Sequence, residues 1–120
     1  MKKKPTYAQL KRKLDKVFSA YIRKRDAEMP CISCGKYVDS KDAGHYHSRR
    51  ILSTRWDPIN VNGQCRNCNR FLEGMKDDYR QGIIDKYGEM ELLKLNDRAK
   101  IQVKLNAEDL NGKIKFCEAQ

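Results

Sequence analysis

Cys31-Ile32-Ser33-Cys34 and Cys65-Arg66-Asn67-Cys68 are the stretches of sequence that decide the fold of this chain. Thirty residues separate the pairs, and two Cys-x-x-Cys pairs at about this spacing are typical of a zinc ion bound by four thiolates. Disulfide bonds are the alternative. We disfavour them because no apolar segment follows the basic start of the chain, so we expect no export signal. Since four thiolates leave zinc no open position for water, we expect a structural ion.

The composition predicts one small domain. Of 120 residues, 39% are hydrophobic and 35% are charged, so the apolar core must be small and a bound metal would matter for stability. We expect a single domain over residues 1–120, with a basic N-terminal helix at 1–28, a zinc-bearing core at 29–76 and a helical extension at 77–120. No apolar run reaches the roughly 18 residues of a membrane span. The fifth cysteine, Cys117, is far from both pairs, and we interpret it as a buried or spare thiol.

The positive charge is concentrated in the first part of the chain. The net charge is +10, and residues 1–25 carry ten Lys or Arg against one acidic residue. Residues 26–76 carry eight against six, and residues 77–120 carry eight against nine. A merely solvated surface would not need this asymmetry, whereas a basic surface beside a metal motif suits a polyanionic partner. We therefore expect nucleic acid as the partner.

The pattern of apolar residues and turn signals gives an order of elements. Thr6 and Gln9 form a capping box, and apolar residues then recur at helical spacing, so we predict a helix over about Tyr7–Arg25. Its other face presents basic side chains that we predict to lie along phosphates, among them Lys11, Arg12 and Lys16. The other predicted elements are a hairpin with arms Lys36–Val38 and Ala43–Ser48, a loop over Arg49–Pro58, a return strand or turn at Asn60–Gln64, a helix from Asn67 interrupted near Gly74, helices Asp77–Tyr87 and Glu89–Leu105, a turn at Asn111-Gly112 and a small strand Lys113–Phe116.

The sequence between and after the cysteine pairs resembles a known family. The stretches AGHYHSRR (residues 43–50) and TRWDPINVNGQCRNCNRFLEGMKDDYR (residues 54–80) resemble the NinG/Rap family of phage recombination endonucleases, within the HNH (ββα-metal) nucleases. The segment CRNCNRFLEG is also similar to phage endonuclease VII. The resemblance covers roughly Val17 to Gly88. It implies an α+β fold, in which a zinc-stabilised treble-clef core is flanked by N- and C-terminal helices.

The same resemblance implies an activity. It implies a divalent-metal-dependent endonuclease that hydrolyses phosphodiester bonds in branched DNA, such as Holliday junctions, during phage recombination. A four-way junction is nicked at two symmetric positions, so we expect a homodimer. The expected location is the cytoplasm of the bacterial host.

Three residues carry the chemistry that the resemblance implies. His45 follows the first cysteine pair where HNH nucleases have their general base, although a hydrogen-bonded structural histidine is the alternative. Asn60, five residues before Cys65, would tie a loop to the strand and orient that base. Asn69, directly after Cys68, would bind Mg²⁺ or Mn²⁺ through its side-chain oxygen, the alternative being an ordinary residue at a helix N-terminus.

The sequence departs from many HNH sites at Gly44, where Asp or His would supply a second metal ligand. Either that ligand comes from elsewhere, with His47, Asp57 and Glu73 as candidates, or His45 itself binds the metal and another group is the base. Four arginines are predicted to contact DNA, of which the first three should clamp phosphate: Arg49, Arg50, Arg55 and Arg70. Pairing of the first three with Asp39, Asp42 or Asp57 is the alternative.

Two other functions remain open at this point. A zinc-scaffolded module that binds DNA without cutting it needs only the basic helix and the cysteine pairs. A protein-interaction zinc domain needs neither DNA nor a second metal. For Trp56 and Tyr46, we favour packing inside the protein over stacking on an opened base.

Overall fold

The computed structural model describes residues 3–70 and 75–120 and shows an α+β chain with a small two-stranded sheet. Its helices and strands, in chain order, are α1 Tyr7–Arg25, β1 Asp42–His45, α2 Leu52–Arg55, β2 Val61–Gln64, α3 Arg66–Arg70, α4 Lys76–Tyr87, α5 Glu89–Ala99 and α6 Ala107–Glu118. No helix in these ranges is long and apolar enough to cross a membrane.

The hairpin of β1 and β2 forms the centre of the molecule. The strands are antiparallel, with His45 opposite Val61 and Asp42 opposite Gln64. Because side chains alternate along a strand, His45 and Val61 share one face, and Val61 is buried there against α1. The other face meets α4, where the Tyr79 hydroxyl donates to the Gly44 carbonyl at 2.6 Å. The hairpin thus separates two cores.

The first core lies between α1 and α6. The predicted capping box of Thr6 and Gln9 is present, and the predicted helix over Tyr7–Arg25 is confirmed at both ends. Apolar residues three or four apart place a buried stripe on each helix, as helical periodicity requires. The buried residues of this core are Leu10, Leu14, Phe18, Ile22, Trp56, Val61, Leu110, Ile114 and Cys117.

The second core lies between α4 and α5, on the opposite side of the hairpin. Tyr79 and Ile83 of α4 pack with Leu92 and Leu95 of α5, and all four are buried. The helix predicted over Asp77–Tyr87 is confirmed as α4. The following helix is shorter than predicted, ending at Ala99 rather than Leu105.

The predicted hairpin over residues 36–48 is wrong in its first arm. Lys36 closes the turn of the first cysteine pair instead, because its carbonyl accepts from the Cys31 N–H at 2.8 Å while Gly35 N–H donates to the Cys31 carbonyl at 2.9 Å. The strand partner of β1 is β2, so the region predicted as a return strand is the second arm. The loop predicted over Arg49–Pro58 contains the short helix α2.

The turn predicted at Asn111-Gly112 and the strand predicted at Lys113–Phe116 are also wrong, since both lie inside α6. Asn106 caps this helix in a reciprocal pair with Asp109, and burial of the α6 apolar stripe against α1 outweighs the local turn preference. The helix predicted from Asn67 begins at Arg66 as α3. Its predicted interruption near Gly74 lies outside the described residues.

Candidate functional site

The four cysteines form one compact cluster. The Sγ atoms of Cys31, Cys34, Cys65 and Cys68 all lie within 4.8 Å of one another, and those of Cys34 and Cys65 are 3.8 Å apart. Among the residues that the structure describes, this is the one group of three or more His, Cys, Asp or Glu side chains arranged to hold a metal ion. Cys117 lies outside it, buried in the first core.

Backbone amides support the sulfur atoms of the cluster. Cys31 Sγ accepts from the N–H of Cys34 at 3.5 Å and of Cys65 at 3.2 Å, and Cys65 Sγ accepts from the N–H of Cys68 at 3.5 Å. Burial opposes ionisation of Cys31, but these amides outweigh it and lower the pKa of its thiol to about 7. Burial and neighbouring sulfur atoms raise the pKa values of Cys34 and Cys68.

This donor set fits zinc. Sulfur atoms this close repel one another as thiolates, so the fully ionised cluster needs a cation, and four thiolates in a compact group are the usual ligands of structural zinc. The cysteine cluster, defined by these four residues, could therefore hold the zinc ion that the sequence predicts.

A cavity of about 490 Å³ lies beside the hairpin and is lined by both His45 and Asn69. We call it the His45–Asn69 cleft. Its other lining residues are Asp15, Phe18, Ser19, Ala43, Arg49, Trp56, Val61 and Lys76. The side chains come from α1, β1, β2, α3, α4 and the loop between the strands, so the cleft exists only in the folded chain.

The imidazole of His45 is prepared to accept a proton. Its Nε2 lies 2.9 Å from the Arg55 carbonyl. A carbonyl can only accept, so Nε2 carries the hydrogen and Nδ1 of the neutral ring keeps its lone pair. Burial lowers the pKa of His45; the carbonyl contact opposes this shift and the Arg49 guanidinium adds to it. The ring is therefore neutral at pH 7.

Asn60 joins the loop to the strand through its side chain. Its side chain is buried, its Oδ1 accepts from the His47 N–H at 2.7 Å, and its Nδ2 donates to the carbonyls of His47 at 3.1 Å and Thr54 at 3.0 Å. These bonds fix the backbone just after His45 and just before Arg55, whose carbonyl holds the His45 ring.

The amide of Asn69 is oriented by a carboxylate. Asn69 Nδ2 donates to Asp42 Oδ2 at 3.1 Å, so the amide oxygen is the atom of this side chain that can bind a cation. Asp42 also lies 3.3 Å from Arg70 Nε. Sequence reasoning missed this role because Asp42 falls between the two arms of the predicted hairpin, and only its position at the start of β1 brings it to α3.

Two of the three proposed sources of a second ligand, His47 and Asp57, bind other residues and do not line the cleft. His47 Nε2 is 2.8 Å from Asn96 Oδ1 on α5, and Asp57 accepts from Arg98 at 2.7 Å. Glu73 lies outside the described residues. Position 44 offers no room: a β-carbon on Gly44 would lie 2.0 Å from the Oε1 of buried Gln64. A larger residue there would have to displace Gln64.

A match to a known family shows which family the chain belongs to. The family model described as "NinG: Bacteriophage Lambda NinG protein" matches residues 1–120. The chain belongs to the NinG family. The predicted membership is therefore confirmed.

Several curated NinG-family relatives come from phages. Protein ninG of Salmonella phage P22 is 39% identical over 72 residues, covering 58% of this chain and 36% of the relative. Those of Escherichia phage lambda and Escherichia phage 933W are 37% and 38% identical over 73 residues, covering 59% of this chain and 36% of each relative. The aligned part thus spans just over a third of these relatives. No solved structure matches the chain.

The arginines of this NinG-family protein fall into two groups. Arg55 is largely buried and donates to Asp15 from Nε at 3.0 Å and from Nη2 at 2.5 Å, and exposed Arg49 donates to the same carboxylate at 3.1 Å. The pairing considered from sequence exists, but with Asp15 rather than Asp39, Asp42 or Asp57. Arg50 is exposed, as are Arg12 and Lys16 on α1.

Two functional candidates of the NinG-family cleft were not found from sequence. Asp15 stands alone among the basic residues of α1, yet it accepts from Trp56 Nε1 at 2.9 Å and organises Arg49 and Arg55 at the cleft wall. Burial raises the pKa of Asp15, but these donors outweigh burial and lower it. Lys76 lines the cleft from the first residue of α4. An isolated acid in a basic helix was the one available signal. Trp56 itself is buried, in keeping with the packing interpretation.

Proposed function

We propose that this NinG-family protein is a divalent-metal-dependent endonuclease that cuts branched DNA. The single observation that carries the proposal is the shared cleft of His45 and Asn69. Had these side chains lain on opposite sides of the molecule, the nuclease interpretation would have failed.

The order of elements supports an HNH core on a treble-clef scaffold. Strand β1 ends at His45, β2 leads into the second cysteine pair, and α3 begins within that pair at Arg66 and carries Asn69. This ββα order, with the cysteine cluster at its base, is what the resemblance to HNH nucleases predicts.

The chemistry follows from the arrangement of these groups. Neutral His45 accepts a proton from water at Nδ1, the water oxygen forms a new bond to phosphorus, and one ester P–O bond breaks. The leaving alkoxide takes up a proton from solvent. Asn69 would hold Mg²⁺ or Mn²⁺ through its amide oxygen, and such an ion supplies charge neutralisation on the phosphate when bound. Asn60 acts through the backbone that positions His45.

Basic residues beside the cleft support DNA as the substrate. Exposed Arg12 and Lys16 lie on α1 next to Asp15, which lines the cleft, and Arg23 one turn beyond donates to cleft residue Ser19 at 2.5 Å. Residues four apart share a helix face, so this basic row runs along the cleft edge. Each phosphate it neutralises adds about 0.9 to the salt slope of duplex binding.

A branched substrate and a homodimer extend the proposal. Symmetric nicking of a four-way junction needs two active sites, which a two-fold dimer supplies. Apolar side chains exposed on α5 and just after it offer a contact for such a dimer, namely Met90, Leu93 and Ile101. The proposed location is the cytoplasm of the phage's bacterial host.

A second candidate is a zinc-scaffolded DNA-binding module without catalysis. The observation that favours it is the lack of space at position 44. Gly44, the residue before His45, has no side chain that could supply a second metal ligand beside Asn69, and Gln64 fills the space that a larger residue would need. Binding would then need only α1 and the cysteine cluster.

One experiment separates these functions. The protein, kept in its zinc-bound form by desalting rather than by a chelator, is incubated with labelled linear, forked and four-way-junction DNA, with Mg²⁺, Mn²⁺ or neither. We expect metal-dependent cleavage, preferentially of the junction. His45→Ala should lose about 10²–10⁴-fold in rate, the usual contribution of a general base, at little change in melting temperature.

The matched control is His47→Ala, two residues along the chain, whose ring is held by Asn96 on α5. It should cut within a few-fold of the parent protein. Equal cleavage by His45→Ala would remove His45 from the mechanism. Salt-dependent binding without any cleavage by the parent would support the binding module, and no DNA binding would support a protein-interaction domain.

A further inference from the structure

Lys76 is the cation that enters the His45–Asn69 cleft from α4. It is the first residue of that helix and lines the cavity opposite the α1 wall. Its Nζ donates to the His45 carbonyl at 3.2 Å and to the Tyr46 carbonyl, and it lies 5.4 Å from the centroid of the Tyr46 ring. The ammonium is therefore fixed within a few ångströms of the backbone that carries His45.

No ion pair within the described residues neutralises the charge of Lys76. Within residues 3–70 and 75–120, no carboxylate forms an ion pair with it, whereas Arg49 and Arg55 share Asp15 and Arg70 pairs with Asp42. Desolvation lowers the pKa of Lys76, and no acid in the part of the chain that the structure describes offsets this effect. Although Lys76 is exposed, its ammonium is partly desolvated at the cleft, and an anion brought into the cleft would offset the cost of that desolvation.

We infer that Lys76 is a phosphate-binding catalytic residue, whose ammonium donates to a non-bridging oxygen of the phosphodiester held between His45 and Asn69. An ammonium has three N–H donors, and two backbone carbonyls occupy two of them. No other acceptor for Lys76 lies among the described residues, so the third donor can bind phosphate. The inference rests on the proposed function, because it places the reacting phosphate at His45.

The consequence for catalysis is electrostatic. Negative charge builds up on the phosphate oxygens as water attacks, and a cation already fixed in a partly desolvated cleft stabilises that charge without reorganisation. The two carbonyls fix Lys76 in position before substrate arrives. This preorganisation distinguishes Lys76 from exposed Arg50, which should contribute to binding rather than to rate.

A purely structural role is the competing explanation. The bonds from Lys76 to the carbonyls of His45 and Tyr46, at and just after the end of β1, and its contact with the Tyr46 ring also fasten the start of α4 to the hairpin. Lys76→Met keeps the apolar stem over Tyr46 and removes every donor, and Lys76→Arg keeps the charge. Lys94→Met is the matched control, because Lys94 lies exposed on α5 and pairs with Glu91.

The test uses the zinc-bound full chain and a four-way junction, with three readouts: melting temperature, the salt dependence of junction affinity without added divalent ion, and single-turnover cleavage rate in Mg²⁺ or Mn²⁺. For Lys76→Met we expect a salt slope smaller by about one and a rate lower by about 10–100-fold, with affinity at low salt changed less than the rate. Lys76→Arg should recover part of the rate, and Lys94→Met should match the parent.

The outcomes separate this inference from the proposed function. If the parent cuts DNA and Lys76→Met cuts equally well, the inference fails while the nuclease proposal stands. If Lys76→Met loses melting temperature, affinity and rate in parallel and Lys76→Arg does not recover the rate, the residue is a structural clamp. If the parent never cuts, the nuclease proposal fails, and with it the claim that this phosphate reacts. A smaller salt slope for Lys76→Met would then still report a phosphate contact.

Discussion

The cysteine cluster and the His45–Asn69 cleft are built in opposite ways. The cluster comes from two four-residue stretches, and most of its amide–sulfur bonds join residues three apart. The cleft draws side chains from both strands, three helices and a loop, and Asp15 reaches Arg55 across 40 positions of sequence. Stability is thus concentrated where the chain is locally organised, and the proposed chemistry lies where distant segments meet. Changes at the cluster should remove the fold, and changes in the cleft should leave it intact.

The largest effect is expected at the cluster. Cys65→Ser should abolish zinc binding and cooperative unfolding, because structural zinc contributes about 10–16 kcal/mol in small modules, more than the roughly 5–15 kcal/mol of net domain stability. The measurements are zinc content per chain and a thermal melt followed by circular dichroism. Cys117→Ser is the control and should keep its zinc, since Cys117 lies in the first core. A Cys65→Ser variant that binds no zinc yet unfolds cooperatively would show that the cysteine cluster does not carry the stability of the fold.

The next effect is expected at Asp26, which supports the hairpin from the end of α1. Asp26 is buried and accepts from Arg25, Lys86 and the Gly63 N–H at 2.8–2.9 Å. Burial opposes ionisation, but these donors lower the pKa of Asp26 to about 2. Relative to an unfolded value of about 3.9, ionised Asp26 contributes roughly 2 kcal/mol, fully present above pH 4 and lost as the pH falls towards 2.

Two measurements check this prediction. Asp26→Asn should lower the free energy of urea unfolding at pH 7 by roughly 2 kcal/mol. In the parent, the carboxyl carbon of Asp26, followed by NMR, should remain in its ionised position at pH 4, down to which we expect the chain to remain folded. A midpoint near 4 for this carboxyl would refute the assignment.

A smaller effect is expected where α4 packs on the first cysteine pair. A β-carbon at Gly82 would lie 1.9 Å from the Ile32 carbonyl oxygen, a backbone atom that cannot turn away. Gly82→Ala should therefore cost about 1–3 kcal/mol by urea unfolding. Gly112→Ala in α6 is the matched control. Its β-carbon meets nothing within 4 Å, so it should stabilise by about 0.5–1 kcal/mol. Equal effects at both positions would show that α4 does not rely on this close approach.

The smallest effect on stability is expected at exposed Arg50, next to cleft residue Arg49. Arg50→Gln should change the free energy of unfolding by less than about 0.5 kcal/mol, because exposed side chains without partners rarely stabilise. It should still reduce the salt slope of DNA binding by about one if Arg50 contacts phosphate. Arg55→Gln provides the contrast and should cost about 1 kcal/mol, because Asp15 loses two donors. If both variants behave alike, the division of the arginines into two groups is wrong.

The sequence predicted the parts of the molecule that depend on local physics. Cysteine spacing predicted the cluster, and a capping box with helical periodicity predicted both ends of α1. Predictions failed where long-range packing decides the conformation. Asn111-Gly112 has the composition of a turn, yet it lies within a helix because Leu110, Ile114 and Cys117 are buried against α1.

The candidate site was predicted in part for the same reason. His45, Asn60 and Asn69 were named through family resemblance, which carries three-dimensional information that one sequence does not. Asp42, Asp15 and Lys76 were missed. Their partners lie between 27 and 41 positions away, and no local pattern reports contacts at that separation.

Asn60 has a further consequence for the shape of the protein. The Tyr46 N–H donates to the Asn60 carbonyl at 2.9 Å. Beyond this bond, the segments that extend β1 and β2 no longer pair through their backbones. The carboxamide of Asn60 bonds both the N–H and the carbonyl of His47 and so stands in for the missing main-chain partner. The Asn60 side chain therefore extends the pairing of the hairpin by one residue. The segment that carries Arg49 and Arg50 can diverge from the neighbouring strand while its first residues stay hydrogen-bonded to it.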